Sequence, residues 1–248
     1  MRMIIDAHAH LKHGDAAATE YKPEEIVAAM DAAGIDRSVV FAMSTTTRRS
    51  IEMAAAAADR FPGRLIPYAY ALPHAGRAIL PELEEAVCEK GFRGFKLHAG
   101  ECRIADYTVG GVFELAGRLG VPCLVDFCGD EGAASGAAET FKETSIIVAH
   151  IGKYLCTDDA LIDRFIRIAE GHSNVLLDVS GLAHTHKIAD AVRRAGAARV
   201  LWGTDGPHAR PTEAEFAIAE LEKVRGCGLK DARLEKVLGA NAARLLGI

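Results

Sequence analysis

The sequence has no long hydrophobic run. No window of its 248 residues approaches the roughly 18 uninterrupted apolar positions of a membrane span, so no transmembrane helix is expected. It has no basic excess: 29 Lys and Arg stand against 34 Asp and Glu, for a formal net charge of −5, which gives no support to nucleic-acid binding, a function that favours a basic stripe. The N-terminus shows no basic region followed by an apolar core and a small-residue cleavage site, so no export signal is visible and a cytoplasmic location is expected. The six cysteines (Cys88, Cys102, Cys123, Cys128, Cys156 and Cys227) contain no C-x-x-C pair. In a reducing compartment most of them read as small core residues. Linkers, low-complexity tracts and charge blocks are also missing, and a single domain over residues 1–248 follows.

What is there is alternation. The apolar run Met3-Ile4-Ile5 leads into Asp6-Ala-His8-Ala-His10, which reads as a first strand. Pro23-Glu24-Glu25 then opens a run ending at Gly34, with the proline and acids of a helix start and the glycine of a helix end. Arg37 to Met43 is β-branched and apolar, as a strand buried on both faces should be. A second helix is expected over Arg48 to Phe61, stopped by Pro62-Gly63. Further strand candidates lie at 65–70, 94–98, 121–126, 146–150, 175–178 and 200–205, each followed by helical material. About eight parallel strands with intervening helices favour a (β/α)8 TIM-like barrel of the α/β class, and about 250 residues is its usual size.

Chemistry in such a barrel sits at the carboxyl ends of the strands. Ligand-type residues collect there on one parity: His8 and His10 on strand one, Lys96 and His98 on strand four, Asp126 and Cys128 on strand five, His150 on strand six, Asp178 on strand seven and Asp205 on strand eight. Ile4, Leu124, Val148 and Leu201 share that parity and are expected inside the barrel. Ile5, Phe95, Leu97, Val125, Ile147 and Trp202 are expected against the helices. A strand sends residues i and i+2 to one face, so His8 and His10 stand side by side and can hold one metal ion. On its own the pair reads equally well as two surface histidines.

Asp6-Ala-His-Ala-His10, residues 30–40, Gly91 to His98, Ala149-His-Ile-Gly152, Trp202 to Pro207 and the closing stretch 238–247 together resemble the amidohydrolase superfamily, in the branch called amidohydrolase 2. The resemblance runs from the first strand to the last helix. It implies a distorted (β/α)8 barrel holding one or two divalent metals, commonly zinc, of which one is expected here. His8, His10 and Asp205 match the ligand positions, and His150 matches a histidine that binds metal or acts on the substrate. A cation with an open position can bring its bound water to a pKa of about 7. The implied reaction is attack of that hydroxide on a carbonyl carbon of a small polar, carboxylated substrate, with Asp205 shuttling the proton and His150 polarising the carbonyl. A decarboxylase of the same branch is the nearest rival. A metal-free lactonase or a non-catalytic binding protein comes next. A polymerase-associated phosphoesterase barrel also opens on His-x-His, but its further histidine sets are missing.

Strand five departs from the family: where relatives place a histidine, this chain has Pro122-Cys-Leu-Val-Asp126 followed by Phe127 and Cys128. Asp126 could take the ligand's place or hydrogen-bond Lys96 or a ligand histidine from behind. Cys128 could offer a thiolate or be a buried inert thiol, His98 could be recruited to the metal, or the metal could be lost. Lys96 is expected to bind a substrate carboxylate or to pair with Asp6, rather than to be carboxylated, because a buried ammonium needs an anion. Arg48 and Arg103 are the loop residues with a carboxylate-binding fork, and with Lys96 and His98 they complete the expected substrate contacts. His13, His184, His186 and His208 read as ordinary loop residues, although His184-Thr-His186 repeats the His-x-His spacing. Asp178 is expected to hold a loop or orient a ligand histidine. The expected partner is a small molecule, and self-association into a homo-oligomer is left open.

Overall fold

The computed structural model describes residues 3–74, 76, 78–208 and 212–248. Parallel strands alternate with helices along the chain. β1 (Ile5–Lys12), β2 (Arg37–Ala42) and β3 (Leu65–Pro67) pair in that order, and β4 (Ala69–Tyr70), β5 (Phe95–His98), β6 (Cys123–Asp126), β7 (Ile146–Val148), β8 (Val175–Asp178) and β9 (Val200–Leu201) pair in theirs. Only Tyr68 separates β3 from β4, so these two segments form one barrel strand and the total is eight. After β9 the chain runs alongside β1: Ala7 N donates to Trp202 O (3.0 Å), Asp205 N to His8 O (2.7 Å) and His10 N to Gly206 O (2.7 Å). The architecture is a (β/α)8 barrel.

Local chemistry explains the elements. α1 (Pro23–Ala33) starts on Pro23, and the Glu25 carboxylate accepts from Lys22 N at 2.7 Å; it ends on Gly34, whose φ of 72° a side chain would resist. α2 (Thr47–Arg60) opens on Thr46, whose hydroxyl accepts from Arg49 N. α3 (Leu80–Lys90), α4 (Asp106–Leu119), α5 (Glu131–Thr140), α6 (Asp159–Gly171), α7 (His186–Arg194) and α8 (Glu213–Arg225) follow the next strands, and the short α9 (Asp231–Glu235) and α10 (Asn241–Leu246) finish the chain.

Two apolar clusters divide the core. The barrel interior holds Ile5, Ala7, Val39, Phe41, Tyr68, Tyr70, Leu124, Ile147, Ala149, Leu176 and Leu201. The layer between strands and helices includes Phe95, Leu97, Val125, Val148, Leu177 and Trp202. The expected parity holds at Leu124, Leu201, Phe95, Leu97, Val125 and Trp202. It is reversed on two strands: Ile5 and Ile147 point inward, while Val148 packs outward and Ile4 packs against the outer layer. α10 adds Ala242 and Leu246 to the interior cluster. An ideal Cβ on Gly239 would lie 2.0 Å from Met3 O, so the chain end seats tightly on the barrel's amino-terminal rim. Among the described residues no helix is long and apolar enough to cross a membrane. All six cysteines are free: Cys123 and Cys156 are buried in the core, Cys102 and Cys227 pack partly buried against it, and Cys88 and Cys128 are exposed.

Candidate active site

The parity reversal on β1 comes from an irregularity in its pairing. Asp6 faces Ser38, but the next registered pair is Ala9 with Val40, so the register shifts between them. An extra residue of this kind re-aims the side chains beyond it. Ile5 and Ala7 therefore fill the barrel, and His8 and His10 still arrive at its mouth. Both histidines are buried. His8 Nδ1 lies 2.8 Å from Asp178 Oδ2 at the end of β8, as expected of a carboxylate that orients a ligand histidine. An ionised carboxylate only accepts, so Nδ1 carries the proton and, in the neutral ring, Nε2 holds the lone pair. Ser180 Oγ donates to the same Asp178 oxygen (2.5 Å), and Ser180 N donates to the other (3.0 Å).

His150 reaches the cavity by a different route from the expected strand end. β7 stops at Val148, and the following turn holds His150 at φ 57° and Ile151 at φ 46°, in the left-handed region. The turn leaves through Gly152, where φ is 104° and an ideal Cβ would sit 2.1 Å from the Phe165 ring, so no larger residue fits. His150 Nδ1 lies 2.9 Å from Ser180 O. A backbone carbonyl also only accepts, so this ring too is protonated at Nδ1 and, when neutral, offers Nε2.

The two Nε2 atoms meet Asp205. Its Oδ1 is 3.0 Å from His8 Nε2, 3.0 Å from His10 Nε2 and 3.8 Å from His150 Nε2. His8, His150 and Asp205 form a buried group whose donor atoms all lie within 4.8 Å of one another. Burial alone would raise the Asp205 carboxyl, but the imidazoles of His150 and His8 outweigh it and hold this group well below the usual carboxylate range. Burial pushes His10 well below the usual histidine range, reinforced by His13.

Lys96, 1 % exposed, places Nζ 3.0 Å from His8 Nε2 and 5.0 Å over the Phe41 ring. The expected pairing with Asp6 is absent. Asp6 Oδ1 instead accepts from His8 N and Thr204 N, and its Oδ2 accepts from Thr204 Oγ1, so this aspartate ties β1 to the segment after β9. Burial lowers the Lys96 pKa, opposed by the carboxylates of Asp126, Asp205 and Asp178.

Asp126 forms a second group with His98 and Cys128, whose donor atoms all lie within 4.8 Å of one another, and reaches His150 of the first. Its Oδ1 accepts from Cys128 N (2.8 Å), and its Oδ2 lies 3.3 Å from His98 Nε2 and 3.6 Å from His150 Nε2. His98 Nδ1 accepts from Gly100 N (3.0 Å), which leaves the proton on Nε2 facing Asp126. To bind a metal through Nε2 this ring has to give up that proton. Burial would raise the Asp126 carboxyl, but the His98 hydrogen bond and the charges of His150 and Lys96 hold it far below the usual range. Cys128 is exposed rather than buried as a residue, but partial desolvation of its thiol and the neighbouring Asp126 push the pKa up to about 11, so it is a thiol at neutral pH.

A cavity of about 210 Å³ opens over these groups, lined by His10, Lys96, His98, Asp126, His150 and Asp205 together with His13, Tyr154 and His208. The last three were not singled out as site residues by sequence, although each lies three or four positions beyond a strand-end ligand candidate: His13 after His10, Tyr154 after His150, His208 after Asp205. The rings of His10, His13 and His208 stack at 4.2 and 4.6 Å. Arg48 and Arg103 are not among the lining residues. Arg48, 59 % exposed, faces Glu82 on α3 across a different cavity, and the Arg103 expectation finds no support in the lining.

Once they give up their protons to a cation, two imidazole nitrogens with a carboxylate oxygen, buried and converging, suit a borderline divalent ion such as zinc. Their orientation is fixed from behind by Asp178 and Ser180, the support that ligand histidines need. His10 fits the same seat: its Nε2 faces the shared carboxylate oxygen, while Nδ1 is buried without a hydrogen-bond partner among the described residues. Asp126 and His98, with Cys128, make a second candidate group beside it.

A (β/α)8 barrel with paired histidines on its first strand and an aspartate after its last is the framework of a barrel enzyme whose site lies at the carboxyl ends of the strands. The family model described as Amidohydrolase matches residues 5–248, and the chain belongs to that family, in its amidohydrolase 2 branch. No curated protein matches the sequence. Among solved structures the fold is similar to 5-carboxyvanillate decarboxylase from Sphingomonas paucimobilis, at 14% identity and a TM-score of 0.77 with all of both chains covered. It is similar to a probable 2-pyrone-4,6-dicarboxylic acid hydrolase from Acinetobacter baumannii, at 16% identity and 0.78 with full coverage of both chains. It is also similar to 4-oxalomesaconate hydratase from Rhodopseudomonas palustris, at 17% identity and 0.71 with 99% of this chain and 96% of that one covered. At these identities the likeness speaks for the fold alone.

Proposed function

We propose that the protein is a metal-dependent hydrolase of a small carboxylated substrate. The observation that carries this reading is the convergence of His8 Nε2, His150 Nε2 and Asp205 Oδ1 with both ring tautomers set by Asp178 and Ser180. A divalent ion held there supplies Lewis acidity and an acidified water. The chain's own residues do the rest. Asp205 stays ionised across the neutral range, and with Oδ1 turned to the histidines its Oδ2, 3.9 Å from His208 Nε2, is the atom left to take a proton from the attacking water. Lys96 is the cationic anchor for a substrate carboxylate at the cavity floor. Tyr154, its hydroxyl pushed up to about 12 by burial and by nearby Asp205, stays protonated and offers a hydrogen bond to a carbonyl or developing oxyanion. The cavity volume limits the substrate to a small molecule.

A second reading rests on one specific contact. Lys96 Nζ lies 3.0 Å from His8 Nε2, the atom assigned to the metal, so an ammonium can stand where a cation's charge is needed. That geometry supports metal-free opening of a lactone, and one similar structure is a probable 2-pyrone-4,6-dicarboxylic acid hydrolase. Decarboxylation loses its sequence argument, because Arg48 and Arg103 lie away from the cavity lining. The test is a panel of lactones, amides and aromatic acids of this size, assayed for acid release and for carbon dioxide with and without added zinc. Acid release that rises with zinc supports the proposal. Zinc-indifferent lactone opening supports the second reading, and carbon dioxide release overturns both.

A further inference from the structure

A third cluster of donors lies outside the cavity. Asp159 is the first residue of α6, His184 lies near the end of the loop that leads from β8, and His186 is the first residue of α7. His184 Nδ1 is 2.6 Å from Asp159 Oδ1, and His186 Nε2 is 3.1 Å from Asp159 Oδ2. All three donors lie within 4.8 Å of one another. We propose that Asp159, His184 and His186 form a separate surface site for one divalent transition ion of the zinc class.

Zinc binds imidazole nitrogen and carboxylate oxygen at about 2.0–2.2 Å, so neighbouring donors around a tetrahedral ion stand about 3.4 Å apart. The two contacts to Asp159 need to open by less than an ångström (~0.3–0.8 Å) and the carboxylate has to turn one oxygen toward both rings, within the freedom of partly exposed side chains. Two imidazoles with one carboxylate select a borderline ion over magnesium or calcium, which favour all-oxygen shells. Solvent can supply the fourth position. The nearest competing cation is Lys187, whose Nζ is 3.8 Å from Asp159 Oδ2 but sits closer to Asp163 Oδ2 (3.0 Å), with Asp190 Oδ2 at 3.9 Å, so its charge is already balanced.

The site's place in the fold gives it a role. Asp159 follows the loop that carries His150 and Tyr154, and His184 follows the loop that carries Ser180, the residue that orients His150. The two loops already meet where Leu155 N donates to Gly181 O at 3.0 Å. An ion on this cluster clips them together at the outer edge of the barrel mouth. The inference does not depend on the central metal.

The test uses the full chain, prepared without an affinity tag and dialysed against zinc chloride, with zinc content and melting temperature as readouts. In the background of His8→Ala, which disables the central group, the surface site is expected to retain about one zinc per chain and to raise the melting temperature as zinc is added. Adding His184→Gln with His186→Gln, or Asp159→Asn alone, should remove that zinc and the thermal shift. Equal zinc uptake and equal thermal shifts with and without these surface substitutions overturn the inference.

Discussion

Replacing Asp178 by asparagine strikes the support of the central group without touching the cavity. In the parent chain Asp178 Oδ2 receives His8 Nδ1–H at 2.8 Å and the Ser180 hydroxyl at 2.5 Å, while Oδ1 receives Ser180 N at 3.0 Å. An amide has one acceptor oxygen where the carboxylate has two, so one set of donors must face an NH2 group. If the NH2 turns to His8, the ring moves its proton to Nε2 and loses the lone pair that would bind a metal. If the oxygen turns to His8, Ser180 N–H is stranded in a buried place, which costs about 1–3 kcal/mol of stability. Removing such a carboxylate–histidine support lowers metal affinity by about 10- to 100-fold, about 1.4–2.7 kcal/mol. Zinc affinity by competition with a chromophoric chelator, paired with urea unfolding, reads both losses. Parent-like affinity together with parent-like stability in Asp178→Asn would refute the tautomer reasoning.

Other perturbations test the neighbouring parts. Burial raises Asp6 to about pKa 6 against 3.8 for the free side chain. Between about pH 4 and 6 the folded chain therefore holds a proton that the unfolded chain has released, so Asp6 withdraws up to about 3 kcal/mol of stability as pH rises through that window. Asp6→Asn mimics the protonated form, and its stability relative to the parent should climb from pH 4 to pH 7; a pH-independent difference in urea unfolding contradicts the assignment. An ideal Cβ on Gly203 would lie 2.7 Å from His8 Cβ and 2.9 Å from His8 N. Gly203→Ala should cost about 1–3 kcal/mol and weaken zinc binding by displacing His8, whereas parent-like melting and affinity would show that β1 yields freely. Asp126→Ala, which removes a carboxylate facing His98 and His150, should lower metal affinity by about 10- to 100-fold; abolished binding in the same chelator competition would make Asp126 a ligand.

The barrel was legible because alternating apolar strands, the Pro23 helix start and glycine helix ends all report on local physics. Strand-end parity places His8, His10, His150 and Asp205 together, and all four meet in the structure. Its failures have local causes that periodicity cannot carry. The register shift after Asp6 moves Ile5 inward while keeping His8 and His10 at the mouth. The left-handed turn at His150 lets Ile147, rather than Val148, fill the barrel and still delivers the histidine. Partner choice was less legible than position: Lys96 faces His8, not Asp6, because Thr204, nearly two hundred residues away, had already taken the Asp6 oxygens. Arg48 follows β2 on the right rim, but Glu82 on the adjoining helix draws its side chain away from the cavity. His13, Tyr154 and His208 carried a usable signal, their spacing of three or four residues beyond strand-end ligands, and it marks the cavity wall.

The most direct test of the account is the metal content of the untagged chain purified without chelator, measured by elemental analysis alongside His8→Ala and Asp205→Ala. The account predicts a divalent transition metal in the parent chain, lost from the central group in both variants together with hydrolytic activity, while circular dichroism shows each variant still folded. Full activity in a parent chain free of metal, or the same metal content in all three proteins, would contradict it.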